Sequence, residues 1–342
     1  MPRTRLLICL LLCSLLGACA ARPPETPGLF QHDLTGTAVP WTDRDFDSDP
    51  GAFSFAVFSD LTGGEREGIF SVAVEQLRLL RPELIVNVGD LVEGGDFPRE
   101  HLVQEWEHFD ARAGRARAPV FHTGGNHDLS GELQREIWRE RYGRQYYHFV
   151  YKNTLFLVLD TEDNPPEYQA YLARIRSEAE IVFEQGGWDA WEQTEYGRSE
   201  ERRTGRIGPE QAAYFRDVIS RYPNVRHTFL LMHKPAWERP EEENFVTIEA
   251  ALADRPYTVF HGHVHAYAYQ QRHGRDYIRL ATTGGVQLEG AENAFDHVTL
   301  VTVSGAGVDI ANLRLDGILD KTGRIPAGGE ALCFEAARCA PP

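Results

Sequence analysis

Ala52-Phe53-Ser54-Phe55-Ala56-Val57-Phe58 is a short apolar run that leads straight into Ser59-Asp60. A run of this length, bounded by turn signals, reads as a buried strand. Just downstream, Ile69, Val72, Ala73, Leu77 and Leu80 recur at helical spacing within Arg66–Leu80, and Pro82 closes that helix. Leu84-Ile85-Val86-Asn87-Val88 is a second buried strand, followed by Gly89-Asp90. Strand, helix and strand in this order argue for an α/β domain.

The alternation continues outward. Residues 97–113 and 130–142 read as helices, with Pro119-Val120-Phe121 as a strand between them. A strand pair follows, Tyr146–Val150 and Thr154–Asp160, around Lys152-Asn153. Residues 161–206 differ: they are polar, rich in Glu and Arg, and carry Trp188 and Trp191. They read as an insertion with some helix, either a lid or a solvated surface loop. Pro209–Tyr222 is an amphipathic helix with Pro209 in its first turn. Thr228–Met232 is a strand, and further strands are expected at 257–260, 265–271, 276–282, 296–303 and 307–315. The domain is thus placed at 51–315, with 316–342 as a peripheral tail.

The chain has 342 residues, of which 42% are hydrophobic and 25% charged, as in an ordinary folded protein. Its net charge is −16, which argues against general nucleic-acid binding, because phosphate backbones recruit Lys and Arg. A phosphate-bearing substrate stays open if metal ions supply the positive charge. The one apolar run of interest to a membrane is N-terminal. Arg3 and Arg5 precede Leu6–Leu16, so residues 1–18 read as a signal peptide. Leu16-Gly17-Ala18-Cys19 resembles the lipobox of bacterial lipoproteins, which implies lipidation of Cys19 and attachment to a membrane of the cell envelope. An ordinary secretory signal cleaved near Ala18 or Ala20 is the other reading. Residues 19–50 look like a tether and lead-in. In the body of the protein only Cys333 and Cys339 remain, and an oxidising compartment would let them pair, although a weak zinc signal has the same spacing.

The chemistry-bearing residues follow predicted strands. They are Asp60, Gly89-Asp90, Gly125-Asn126-His127-Asp128, His233 and Gly262-His263-Val264-His265. Strand ends in α/β sheets converge at one edge, where ligands bind. Asp, Asn and His gathered there are suited to Zn, Mn or Fe. There is no phosphate-binding Gly-rich loop and no G-x-S-x-G nucleophile signature.

Taken in order, these segments resemble the calcineurin-like metallophosphoesterases. The resemblance covers roughly residues 52–315 and extends to Leu159-Asp160-Thr161 and Thr282-Thr283-Gly284-Gly285. It implies a four-layer α/β sandwich of two mixed sheets flanked by helices, with one or two divalent ions at a sheet edge. Asp90 would bridge the ions. Asn126, His233 and His263 would complete one site, and Asp60 and His265 would belong to the other. A metal-bound hydroxide would attack the phosphorus of a monoester or diester. His127 would act as general acid or charge stabiliser, with Asp128 orienting it through a hydrogen bond.

One residue departs from the family pattern. The first motif is Asp-x-His, and this chain has Asp60-Leu61-Thr62. Thr62 is expected either to cap the next helix or to serve weakly in the outer shell. The Asp60 site is then expected to hold its ion less tightly. This departure keeps an alternative in view: an envelope lipoprotein that binds a phosphorylated ligand or partner without turnover. Of the remaining histidines, His122 and His261 are expected to be packed at strand ends, or else to support the ligands.

Overall fold

The computed structural model describes residues 49–288 and 290–339. The expected signal peptide, Cys19 and the lead-in as far as Ser48 lie outside the described residues. Among the described residues, no helix is long and apolar enough to cross a membrane.

The elements run β1 (Phe53–Phe58), α1 (Ile69–Leu80), β2 (Leu84–Asn87), α2 (Arg99–Ala113), β3 (Val120–Phe121), α3 (Glu132–Tyr142), β4 (Tyr147–Tyr151) and β5 (Thr154–Val158). The insertion supplies α4 (Pro166–Trp191) and α5 (Glu195–Arg198). Then come α6 (Pro209–Arg221), β6 (His227–Leu231), α7 (Glu243–Ala251), β7 (Tyr257–His261), β8 (Ala268–Arg272), β9 (Arg275–Arg279), β10 (His297–Ser304), β11 (Gly307–Arg314) and α8 (Ala336–Cys339). One sheet has the order β11-β10-β1-β2-β3, the other β4-β5-β6-β7-β9-β8. Both are mixed: β1, β2 and β3 are parallel, as are β5, β6, β7 and β9, while β10, β11, β4 and β8 pair antiparallel.

The period-two geometry of β1 explains the layering. Phe53, Phe55 and Val57 face the second sheet, where they meet Phe156, Phe229 and Phe260. Ala56 and Phe58 point the other way, into the cluster under α1, α2 and α3. The Phe55 ring lies 4.9 Å from that of Phe229, edge to face. Burying one such side chain contributes about 1.5–3 kcal/mol. A third cluster fills the space under α6 and α7. The four layers are therefore helix, sheet, sheet, helix, as the sequence resemblance implied.

Two expectations need correction, and the helical content of the insertion can be stated. The tail was expected to be peripheral over 316–342, but within its described residues Phe334 is buried in the core cluster under α1, with Leu332 and Ile325 against it. Its Cys333 and Cys339 are joined by a disulfide. The strand expected at 265–271 begins only at Ala268, which leaves His265 in the turn before it. The insertion is mostly one long helix, with Gly187 (φ 66°) breaking its regular backbone near the far end.

Candidate metal centre

The parallel strands of both sheets end at the same edge, and each releases one turn. Asp60 follows β1, Asp90 follows β2, Asn126 and His127 follow β3, His233 follows β6, and His263 and His265 follow β7. Asp60, Asp90, His263 and His265 all have positive φ, between 45° and 76°. Left-handed backbone is uncommon outside glycine and is held there only by surrounding contacts. Two glycines give the carboxylates room. A Cβ on Gly125 would lie 2.2 Å from Asp90 Oδ1, and one on Gly262 would lie 2.3 Å from Asp60 Oδ2.

The turns bring the ligand atoms into two groups. Atoms of Asp90, His233 and His263 lie within 4.8 Å of one another, and so do atoms of Asp60, Asp90 and His265. Asp90 belongs to both. His233 Nε2 is 3.0 Å from Asp90 Oδ2 and 3.1 Å from Asn126 Oδ1. His265 Nε2 is 3.3 Å from Asp60 Oδ1. Each imidazole is oriented from behind by a backbone carbonyl: Val88 for His233 Nδ1 at 2.8 Å, Val286 for His265 Nδ1 at 2.6 Å, and Arg202 for His263 Nε2 at 2.5 Å. This is the usual support of metal-binding histidines.

The donor set fits divalent metals of the Mn, Fe and Zn type. Asp60 and Asp90 are both buried, and among the described residues neither pairs with Lys or Arg. Buried carboxylates without a basic partner, opposite imidazoles, are what a cation would satisfy. The electrostatics agree. Burial alone would raise the pKa of Asp90, but the charges of His233 and His127 overcome it and hold the carboxyl well below its usual range. Burial would lower His233, yet the Asp90 charge beside it lifts it to about 9. His265 is likewise raised, by Asp60, against burial. His263 is pushed well down, by burial first and then by the charges of Lys234 and His233.

His127 sits at the rim of both groups. Its backbone N–H donates to Asp90 Oδ1 at 2.9 Å, and its Nδ1 faces the Glu93 carbonyl at 2.7 Å. A Cβ on Gly63 would lie 3.5 Å from His127 Nε2 and 3.2 Å from His265 Cε1, so the two rings converge over that glycine. The expected hydrogen bond from Asp128 to His127 is absent. Asp128 instead turns inward and accepts four backbone amides: Asp90 and Gly125 on Oδ2, each at 2.8 Å, and Leu91 and Val92 on Oδ1, at 2.8 and 3.1 Å. It ties the Asp90 turn to the Asn126 turn. Thr62 does not cap a helix either, because α1 begins at Ile69. Its hydroxyl donates to the Val92 carbonyl at 2.9 Å.

Several contributors were not read from the sequence. The Glu93 carboxylate accepts the backbone N–H groups of Gly63, Gly64 and Glu65, which fixes the turn after Thr62. Arg66 forks onto Asp296 and also donates to the carbonyls of Gly285 and Cys333. A Glu after Gly89-Asp90-Leu91-Val92 was the available signal for the first; Arg66 had none. Thr283 and Gly285 donate to the carbonyls of Ser59 and Asp60, which gives the Thr-Thr-Gly-Gly segment its place. His122 and His261 are packed against aromatic rings, His122 on Tyr142 and His261 on Trp237.

The family model for calcineurin-like phosphoesterases matches residues 53–267. No protein of curated function matches the sequence. Among solved structures, the chain is similar to a dimetal phosphatase from Danio rerio, with a TM-score of 0.51 at 13% identity over 77% of this chain and 98% of that one. It is also similar to the purple acid phosphatase PPD1 from yellow lupin seeds, with a TM-score of 0.50 at 13% identity over 79% of this chain and 54% of that one. At such identities the likeness speaks for the fold.

Proposed function

This chain belongs to the calcineurin-like phosphoesterase family, and we propose that it hydrolyses a phosphate monoester or diester with one or two divalent ions. The observation that carries this reading is Asp90, a buried carboxylate common to both ligand groups. In this proposal Asp90 is the shared ligand, Asn126, His233 and His263 complete one site, and Asp60 and His265 form the other. Ions there supply Lewis-acid activation of water and a clamp on phosphoryl oxygens. The protein's own part is orientation and proton handling. Carbonyls fix the imidazoles, and the Gly125 and Gly262 turns admit the carboxylates. His127 gives its Nδ1–H to the Glu93 carbonyl, which leaves Nε2 as the nitrogen that would take up a proton and pass it to a leaving group.

A second reading rests on Thr62, whose hydroxyl is engaged by Val92 where the family pattern has an imidazole. It is a non-catalytic envelope protein that binds a phosphorylated ligand. Both readings share a proposed localisation at the cell envelope, through lipidation of Cys19. Several acyl chains would be needed there, since one alone binds a membrane only marginally.

The test uses Mn-loaded protein against p-nitrophenyl phosphate and bis-p-nitrophenyl phosphate. Hydrolysis of either is expected. Asp90→Asn should lose ions and turnover together, while His127→Ala should keep its ions and lose about a hundred- to ten-thousand-fold in turnover. Wild type that holds ions and turns over neither ester would sink the enzyme reading and leave the binding one. Cys19→Ser should move the protein from the membrane fraction to the soluble one; an unmodified, soluble wild type would remove the anchor.

A further inference from the structure

The insertion reaches three separate turns of the metal centre. Arg176, on α4, is only 9% exposed. Its Nη1 donates to the backbone carbonyl of Asn126, and its Nε to Glu180 Oε1 at 3.1 Å. The carbonyl of Arg202, just after α5, faces His263 Nε2 at 2.5 Å. Only a protonated Nε2 can bond a carbonyl, so Nδ1 is the nitrogen left with a lone pair for an ion. Lys234, the neighbour of His233, is 1% exposed. Its Nζ donates to the Glu201 carbonyl at 2.6 Å and lies 2.8 Å from Glu162 Oε1. Asn126, His263 and the residue after His233 are thus all held by segment 161–206. In the other group the side chains not shared with the first, Asp60 and His265, are bonded by Ser59, the His263 backbone amide and the Val286 carbonyl, none of them in segment 161–206.

The surroundings of Arg176 suit a fastening better than a substrate contact. A cavity of about 30 Å³ lies against Arg176, Asn126 and Glu162. That is room for a water or two, too little for a phosphate ester. A lid that swings free would have to break a buried arginine bond and an imidazole bond each time, so these contacts bind the insertion to the site as a fixed wall.

We propose that the insertion is a structural half of one of the two sites, and that Arg176 is a positioning residue for the Asn126–His233–His263 ion. The inference rests on the metal-centre reading above and makes a claim that reading does not: the ion in this site depends on the insertion, and the ion in the Asp60–His265 site does not. Outer-shell partners of metal ligands are typically worth about 10–100-fold in metal affinity.

The experiment measures Mn²⁺ binding by calorimetry, with elemental analysis of the complex, on the full mature chain without substrate. Arg176→Ala is expected to weaken one of two ions about 10–100-fold and leave the other unchanged. Arg176→Lys should fall between the two, because one ammonium cannot bond the Asn126 carbonyl and Glu180 with the geometry of a guanidinium. Arg174→Ala, which removes an exposed charge from the same helix, should bind as wild type does. In a His265→Ala background, which cripples the other site, Arg176→Ala should weaken the ion that remains. Folded Arg176→Ala that binds both ions as tightly as wild type overturns the inference. If that variant does not fold, Arg176→Lys decides, with weaker binding at one site in support and unchanged binding against. Wild type that binds no ion would sink the metal centre itself, a different failure from unchanged binding in the variants.

Discussion

Asp128→Asn separates two roles for a carboxylate that stands beside a candidate catalytic histidine. In the wild type each oxygen of Asp128 accepts two buried amides. An asparagine keeps one such oxygen and presents an NH₂ group to the other two donors. Two buried N–H groups then lose their partner, at about 1–3 kcal/mol each, so the variant should be less stable by about 2–6 kcal/mol. A domain's whole stability is about 5–15 kcal/mol, so the loss is large but survivable, whereas Asp128→Ala strands all four amides and should not fold. One effect opposes this. Burial, and then the Asp90 charge, push the pKa of Asp128 up to about 7, so a neutral amide relieves some repulsion and favours the lower end of the range. The assay is urea unfolding of ion-free protein followed by tryptophan fluorescence, with turnover measured in parallel. A stability loss under about 1 kcal/mol, together with a turnover loss above a hundredfold, would refute the reasoning and restore Asp128 as the group that orients His127.

Ion binding should release protons: His233 carries a proton up to about pH 9 in the ion-free protein and must lose it to become a ligand. Apparent Mn²⁺ affinity should therefore rise with pH below that value, up to about tenfold per unit, and a binding enthalpy independent of buffer ionisation enthalpy would contradict it. Stability should fall in mild acid for a separate reason. Burial lowers His122 to about 4 and His297 to about 3. The geometry agrees, since His297 Nε2 accepts the Ala281 amide and His122 Nδ1 lies 3.2 Å from the Asn87 side-chain nitrogen. Both rings stay neutral when folded, while the unfolded chain takes up protons below about pH 6.5. The contribution of these two rings is thus fully present above pH 6.5 and drains as pH falls toward 4 and 3, while Asp128, raised to about 7, works in the opposite sense; replacing both rings by Gln should remove their part of the pH dependence, and an ion-free melting curve whose change between pH 7 and 4.5 is the same in that variant as in wild type would exclude this.

The two-sheet plan was legible because it is written locally. The alternation in Phe53–Phe58 and the helical spacing of Ile69, Val72, Ala73 and Leu77 need no distant partner to be read. The site was legible as a list for the same reason, since each candidate ligand lies within a few residues of the end of its strand. What failed was contact across the chain. Asp128 adjoins His127 in sequence, yet the backbone folds over at Leu129, whose amide bonds the Gly125 carbonyl, and the carboxylate is sent under Asp90. Arg176 meets Asn126 fifty positions away. α4 shows little apolar periodicity because only Ile175, Arg176 and Ala179 of its residues are buried and the rest of its surface is largely polar, so its length was hidden. By contrast α7 was missed although Phe245, Ile248 and Leu252 bury one helical face.

The pairing of β1 with β10 joins Phe53 to Val303, one near the start of the domain and the other near its end. A chain made from its N-terminus exposes β1 long before its partner exists. Until then one side of β1 offers open amides and carbonyls, beside phenylalanines meant for the interior, the kind of edge that invites pairing with another chain. Contacts so distant in sequence also form slowly. The order of synthesis therefore predicts that the last strands are needed for solubility: a chain cut before His297 keeps every candidate metal ligand and still lacks the strand that covers its first sheet edge.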